Sequence, residues 1–244
     1  MTVNDLTTLV HELHTNGVMV AEHGLGCLEV HGKDGLDLLH RLSTNDLLGG
    51  PVPRALRTLF TSEKGRAIVD AEIVVTAGKT YLIVQSAALG KLRDWIDRFT
   101  ISEDVRLDDV TNSCYVTWLL GPQSISSTAF QHRLDARVDR AHSPNSPESA
   151  WWKSDLGRIP GIRWLADRNV DAGLSDVAVH GRRMKIDAAS YDLVRIAAGV
   201  PAYPNELNGE LHPLEIGLRE SINFKKGCYV GQEVVARLDA YDKV

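Results

Sequence analysis

One short segment of the chain combines side chains that could do chemistry. Residues 224–233 read FKKGCYVGQE, so two lysines, two glycines and a cysteine lie close together. The ammonium groups of Lys225 and Lys226 immediately precede Cys228, and positive charge favours the thiolate, which is the nucleophilic and metal-ligating form of cysteine. Gly227 would allow a positive φ that turns backbone amides toward the sulfur. The segment therefore predicts a reactive thiol.

The same segment also fits a structural turn. In that interpretation the glycines serve backbone geometry, the lysines are solvated and a small cysteine fills a gap in the packing. Spacing alone leaves both interpretations open. The three cysteines, Cys27, Cys114 and Cys228, lie far apart and form no CxxC pair, which argues against a disulfide framework and a structural zinc site. We therefore expect no metal site.

A second candidate is the pair of acids Asp70 and Glu72, which lie two positions apart in the run AIVDAEIVV. Such a run is typical of a β-strand, on which these carboxylates would share a face about 7 Å apart. That spacing suits acid/base chemistry or contacts to the N–H groups of a ring. A solvent-facing row on a half-buried sheet is the alternative.

The elements that must position these residues are strands and helices in mixed order. Strands are predicted at residues 27–31, 57–86 (as an antiparallel meander), 105–107, 114–120 and 158–166. Helices are predicted at residues 6–13, 36–42, 89–99, 124–134, 169–180 and in a segment that ends near 196. Strands followed by crossing helices indicate an α+β fold.

The segment LLGGPVP at residues 47–53 breaks this periodicity with two glycines and two prolines, which predicts a connection between lobes. We expect an inserted α+β lobe of ferredoxin-like type at residues 49–110. Residues 1–48 and 111–244 would then form a platform that carries the cysteine segment.

Composition limits the classes of function. The chain has 244 residues, of which 43% are hydrophobic, and its 27 basic and 32 acidic side chains give a net charge of -5. Such a balance produces no broad positive field for nucleic acid. A run of about 18 apolar residues, which a membrane span needs, is missing, as is the basic start of a secretory signal. We expect a cytoplasmic protein without membrane or direct nucleic-acid partners.

The cysteine segment resembles the signature of a known family. Residues 226–233, KGCYVGQE, followed by Ala236 and Arg237, are similar to the signature of the YgfZ proteins, which are folate-binding relatives of the glycine cleavage T-protein. Other stretches are similar to the same family: Gly32 with Asp34, Lys64-Gly65-Arg66 leading to Asp70, residues 195–201, residues 213–215 and Phe224. The resemblance covers nearly the whole chain and is weakest over residues 130–185.

The resemblance implies the folate-binding fold of the glycine cleavage T-protein, in which antiparallel-sheet lobes and helices interleave around a central cavity that holds tetrahydrofolate. Family members continue beyond the motif into a small β-barrel, which we expect to be missing here. The implied function is that of a folate-binding auxiliary protein for the assembly or repair of iron–sulfur enzymes, and indirectly for tRNA thiomodification. Its implied partners are folate and iron–sulfur client enzymes.

The resemblance also implies roles for individual residues. Cys228 would act as a nucleophilic or ligating thiolate, with Lys226 supplying charge. The motif residues that would support it are Gly227, Tyr229, Gly231, Gln232, Glu233 and Arg237. Folate contacts are expected from Asp70 to the pterin, from Arg195 to the glutamyl carboxylate and from Trp164 by stacking.

Two alternatives stay open. The first is a tetrahydrofolate-dependent aminomethyl or one-carbon transferase with Asp70 as its acid. The related transferases carry an Asp–Asp pair where this chain has Asp70 alone, and a pterin-binding glutamate where it has Ala197. A methyl group can neither accept N–H groups nor steer a proton, so we expect the chain not to be an ordinary enzyme. The second alternative is a non-catalytic binding scaffold.

Overall fold

The computed structural model describes residues 7–8, 11, 15, 18–21, 24–121, 150–157, 159–167 and 188–241. The chain divides into two compact units. The first unit comprises Met1–Gly24 and Thr111–Val200, and the second comprises Leu25–Val110 and Pro201–Val244. The predicted helices at 124–134 and 169–180, and most of the one at 6–13, lie outside the described residues.

Within the described residues the chain forms nine strands and four helices. The strands are β1 (Val18–Ala21), β2 (Leu25–His31), β3 (Arg54–Thr61), β4 (Ala67–Val75), β5 (Thr80–Gln85), β6 (Arg106–Asp109), β7 (Cys114–Leu120), β8 (Ala150–Lys153) and β9 (Gly161–Asp167). The helices are α1 (Gly35–Leu42), α2 (Ser86–Phe99), α3 (Ala188–Ala197) and α4 (Gln232–Ala240), with a single 3-10 turn at Arg219–Ser221.

The second unit is built on a five-stranded sheet in the order β3-β4-β5-β2-β6, and its neighbouring strands are all antiparallel. The sheet alternates apolar side chains between its two faces. On one face Val69 and Ile73 pack with the leucines of α1 and with Leu92 and Ile96 of α2. Burying each such side chain stabilises the fold by about 1.5–3 kcal/mol.

The closing segment of the second unit, residues 201–241, covers another part of this sheet. Leu59 of β3 and Ala67 of β4 pack with Leu207, Tyr229 and Val235 in a separate apolar cluster. Leu59 and its neighbour Phe60 point to opposite faces, and Phe60 belongs to the cluster around α1 and α2. The cysteine segment therefore packs against the strand pair β3–β4.

The first unit contains a four-stranded antiparallel sheet in the order β1-β7-β9-β8. Helix α3 packs through Val194 with Trp118, Leu120 and Ile159. The predicted α+β character with antiparallel sheets is confirmed in both units. None of the helices in the described part of the chain is long and apolar enough to cross a bilayer.

Candidate functional site

The thiol of Cys228 is the exposed cysteine of the chain. It is free and lies in the loop before α4, whereas Cys27 and Cys114 are buried to 3% and 2% exposure. The residues that flank the exposed pair Gly227 and Cys228 are buried on both sides, with Lys226 at 8% and Tyr229 at 7% exposure. The loop thus presents its thiol to solvent between two buried anchors.

The first anchor is the ammonium group of Lys226. It donates to the backbone carbonyls of Ser43 and Asn45 at 2.5 and 3.0 Å and to that of His40. Carbonyls in the last turn of a helix such as α1 have no helical donor, and this cation supplies one. Burial lowers the pKa of Lys226 to about 8, and the Asp46 carboxylate opposes that shift.

The second anchor is the ring of Tyr229, which packs in the cluster with Leu59 and Val235. Burial raises the pKa of its phenol to about 12, so the ring is uncharged at neutral pH. The Lys226 ammonium lies 5.5 Å from the ring centroid, within the range of a cation–π contact. The two anchors therefore also contact each other beneath the loop.

The start of α4 ends the loop. Gly231 precedes the helix with φ 82°, and a Cβ there would lie 2.3 Å from the carbonyl oxygen of Ser62. The Tyr229 N–H donates to Oε1 of Gln232 at 3.3 Å, and the Gln232 N–H donates to the Tyr229 carbonyl at 3.2 Å. The expectation of a positive φ at Gly227 is wrong, because the left-handed residue of the motif is Gly231.

The remaining motif residues lie on α4. Glu233 is exposed in the first turn, where the helix dipole stabilises a carboxylate. Arg237 is exposed in the last turn, 6.0 Å from the ring of Tyr241. Arg237 and Tyr241, together with Val234 and Leu238, line a surface pocket of about 290 Å³.

Asp70 lies on β4, opposite Leu59 of β3. Both Nε and Nη2 of Arg57 donate to Oδ2 of Asp70, at 3.2 and 2.8 Å. Among the described residues, both donors to Asp70 reach Oδ2 and none reaches Oδ1. Its neighbour in the predicted pair, Glu72, is buried at 7% exposure. A solvent-facing row is therefore the wrong interpretation of these two acids.

The other two predicted folate contacts lie in the first unit. Arg195 is 2% exposed; it donates from Nε to Asp192 at 2.5 Å and from Nη1 to the Val200 carbonyl at 3.0 Å. Trp164 of β9 is 5% exposed, and its buried indole N–H has no acceptor among the described residues. Ala197, at the end of α3, is exposed.

The motif residues and Asp70 lie in the second unit, and Arg195 and Trp164 lie in the first. Sequence reasoning missed the turn at residues 43–46, which receives Lys226, and Arg57, which holds Asp70. The polar run STND after the leucines of α1 signals a helix end, but nothing in it indicates a partner more than 180 positions later. In the described ranges, no cluster of three or more His, Cys, Asp or Glu side chains is arranged to hold a metal ion.

Comparisons with known proteins agree on one family. The family model of the GCVT N-terminal domain matches residues 9–140, which is more than half of the chain. A chloroplastic putative transferase of Arabidopsis thaliana is 25% identical over 236 residues, which cover 94% of this chain and 55% of that protein. An aminomethyltransferase of Bacillus subtilis is 27% identical over 233 residues, which cover 87% of this chain and 62% of that protein.

The glycine cleavage system aminomethyltransferase T of Bartonella henselae has a similar fold. Its crystal structure superposes with a TM-score of 0.72 at 11% sequence identity, over 97% of this chain and 66% of that one. At this identity the likeness concerns the fold alone. The chain spans less than two thirds of the length of these relatives.

Proposed function

The chain belongs to the GCVT N-terminal domain family, and we propose that it is a folate-binding auxiliary protein that supports the assembly or repair of iron–sulfur enzymes. Its reacting group in this proposal is the thiol of Cys228. The similarity of residues 226–233 to the YgfZ signature supports the finer assignment. The names of the relatives support only the broader assignment to an aminomethyltransferase-like family.

The observation that carries the proposal is the exposed thiol held between buried anchors. A cysteine that only filled a gap would be buried, and the lysine before it would be solvated. Cys228 is exposed and Lys226 is buried. Once it is ionised, a thiol presented in this way can ligate a metal ion, or it can attack a substrate disulfide to form a mixed disulfide and release the other sulfur as a thiolate.

Tetrahydrofolate is the proposed ligand, and Asp70 is the described residue that fits it best. Arg57 holds Oδ2 of Asp70, so the carboxylate is oriented and can still accept from N–H groups of a pterin ring through Oδ1. A bound tetrahydrofolate would supply one-carbon chemistry. Arg195 fits the glutamyl carboxylate poorly, because it is enclosed and already donates to Asp192 and Val200.

The proposal is tested by replacing the thiol in cells that depend on this protein. We expect Cys228→Ala to abolish support of iron–sulfur enzyme activity while leaving the circular dichroism spectrum and the unfolding transition of the purified protein unchanged. Glu220→Ala, a change at an exposed residue outside the motif, is the control and should retain full support. Full support by Cys228→Ala would refute the proposal.

A folate-dependent aminomethyl or one-carbon transferase is the second candidate, favoured by the names of the relatives and by the oriented carboxylate of Asp70. It predicts turnover with an aminomethyl donor and tetrahydrofolate. It also predicts that Asp70→Asn abolishes turnover while tetrahydrofolate still binds. A non-catalytic scaffold predicts neither turnover nor heat on calorimetric titration with tetrahydrofolate. The auxiliary protein predicts heat of binding without turnover.

A further inference from the structure

The loop that carries Cys228 is fastened to one short turn elsewhere in the second unit. This turn, residues 43–46, follows α1 and leads toward β3. Lys226 donates to the carbonyls of Ser43 and Asn45 in this turn, and to that of His40 in the last turn of α1. An ammonium group has three protons to donate. With three carbonyls as acceptors, none of these protons is left for a thiolate.

Thr44 is a second point of attachment in the same turn. Its hydroxyl donates to the Ser221 carbonyl at 2.7 Å, and its own carbonyl accepts from the Asn223 N–H at 2.9 Å. The hydroxyl also accepts from the Leu59 N–H of β3 at 3.0 Å. Thr44 is fully buried, so these bonds are protected from competing water.

We propose that Lys226 is a positioning residue that fixes the Cys228 loop to the turn at residues 43–46, with Thr44 as the second attachment. The inference rests on the proposed function in that Cys228 is the reacting thiol. It reassigns Lys226 from a charge beside the sulfur to an anchor for the backbone. Lys225, which is exposed, remains the lysine whose charge can act through solvent.

The surroundings of Lys226 show that keeping its charged ammonium group buried costs stability. Burial lowers the pKa of Lys226, and the charge of the Asp46 carboxylate opposes this shift. Burial and the neighbouring Lys226 lower the pKa of His40, and its Nδ1 accepts the Leu47 N–H at 3.2 Å, which favours the neutral ring. The Tyr229 ring is neutral as well. A charged group retained at such a cost supports a specific geometry.

Amide hydrogen exchange on the full chain tests this inference, with Lys226→Met and the matched neighbour Lys225→Met compared at one pH. The Asn223 and Tyr229 amides, which donate to Thr44 and Gln232, should exchange about tenfold faster or more in Lys226→Met, the effect expected for loss of a charged donor. They should not change in Lys225→Met. Lys226→Arg should restore part of the protection.

Thr44→Val is the second variant, used in case Lys226→Met fails to fold. It keeps the shape of the side chain, removes the bond to Ser221 and leaves Lys226 in place, so the Asn223 amide should again exchange faster. Unchanged exchange in every variant that folds would overturn the positioning role. That result is independent of the cellular test of Cys228→Ala, so the two proposals can fail separately.

Discussion

At the scale of single residues, ionisation of Lys226 connects the loop to the stability of the protein. Its pKa is about 8 in the folded chain against 10.5 for an ordinary lysine. Between these values the unfolded chain binds more protons at this position than the folded chain does, so the free energy of unfolding rises with pH.

The expected rise from Lys226 is about 2 kcal/mol between pH 7.5 and pH 9.5. Urea unfolding of the parent protein and of Lys226→Met at both pH values measures it as a difference between the two proteins. The rise should be present in the parent and reduced by that amount in Lys226→Met. Parallel pH dependences in the two proteins would contradict the assigned pKa.

Arg57 orients the carboxylate of Asp70, which is proposed to contact the pterin of folate. Because both of its contacts go to one oxygen of Asp70, Arg57→Met should leave that carboxylate free to rotate. We expect tetrahydrofolate to bind about tenfold more weakly, since the loss of a charge-assisted contact costs about 1.5–3 kcal/mol. Calorimetric titration measures the change, with Arg98→Met, at an exposed arginine that pairs with Glu63, as the control.

The candidate residues differ in how far the sequence could predict their place. The proximity of Lys226 and Cys228 along the chain suggested a charge acting on sulfur, but a lysine side chain can reach several ångströms away from its own backbone. In the structure it reaches the end of α1. Contacts between residues so far apart in sequence depend on tertiary packing, which local spacing does not encode.

At the scale of elements, the start of α4 depends on the close approach of two glycines. A Cβ on Gly231 would lie 2.3 Å from the Ser62 carbonyl oxygen and 2.9 Å from Cα of Gly65, and its φ of 82° disfavours any other residue. We expect Gly231→Ala to destabilise the protein by about 2 kcal/mol or more.

Gly227 provides the matched control for that prediction, because a Cβ there would meet open space and its φ lies outside the left-handed region. Gly227→Ala should change the free energy of unfolding by about 0.5 kcal/mol or less. Urea unfolding compares the two variants. Equal effects would show that the loop lacks the described geometry. The sequence predicted the positive φ at Gly227 rather than at Gly231, because the clash at Gly231 arises from residues 62–65, which are distant in the sequence.

Strands and helices themselves were predictable where their periodicity was strong. The β-rich run over residues 67–75 and the apolar stripe over residues 89–99 correspond to β4 and α2. The helix predicted for residues 36–42 corresponds to α1, whose buried leucines lie at helical spacing. These patterns follow directly from which side chains are buried.

At the scale of the whole molecule, the chain passes between its two units more than once. The glycine- and proline-rich segment at residues 47–53 lies inside the second unit, which begins at Leu25. A local break in periodicity marks a loop, but it cannot tell whether the chain leaves a compact unit there. The predicted lobe at residues 49–110 stays a prediction.

Ligand binding should raise the stability of the whole protein. If tetrahydrofolate binds the folded chain and not the unfolded chain, a concentration of about 100 times its dissociation constant adds about 2.7 kcal/mol to the free energy of unfolding. Thermal unfolding with and without tetrahydrofolate measures the gain, and Asp70→Asn should reduce it. An unfolding temperature that does not respond to tetrahydrofolate would contradict folate binding.

The chain presents one reachable thiol, at Cys228, and keeps its other two thiols buried. Alkylation of the native protein with iodoacetamide, followed by mass spectrometry of each cysteine, tests this claim most directly. We predict that Cys228 of the native protein is alkylated nearly as fast as in the protein unfolded by urea. Cys27 and Cys114 should react only after unfolding. Protection of Cys228 equal to that of Cys27 and Cys114 would contradict the account.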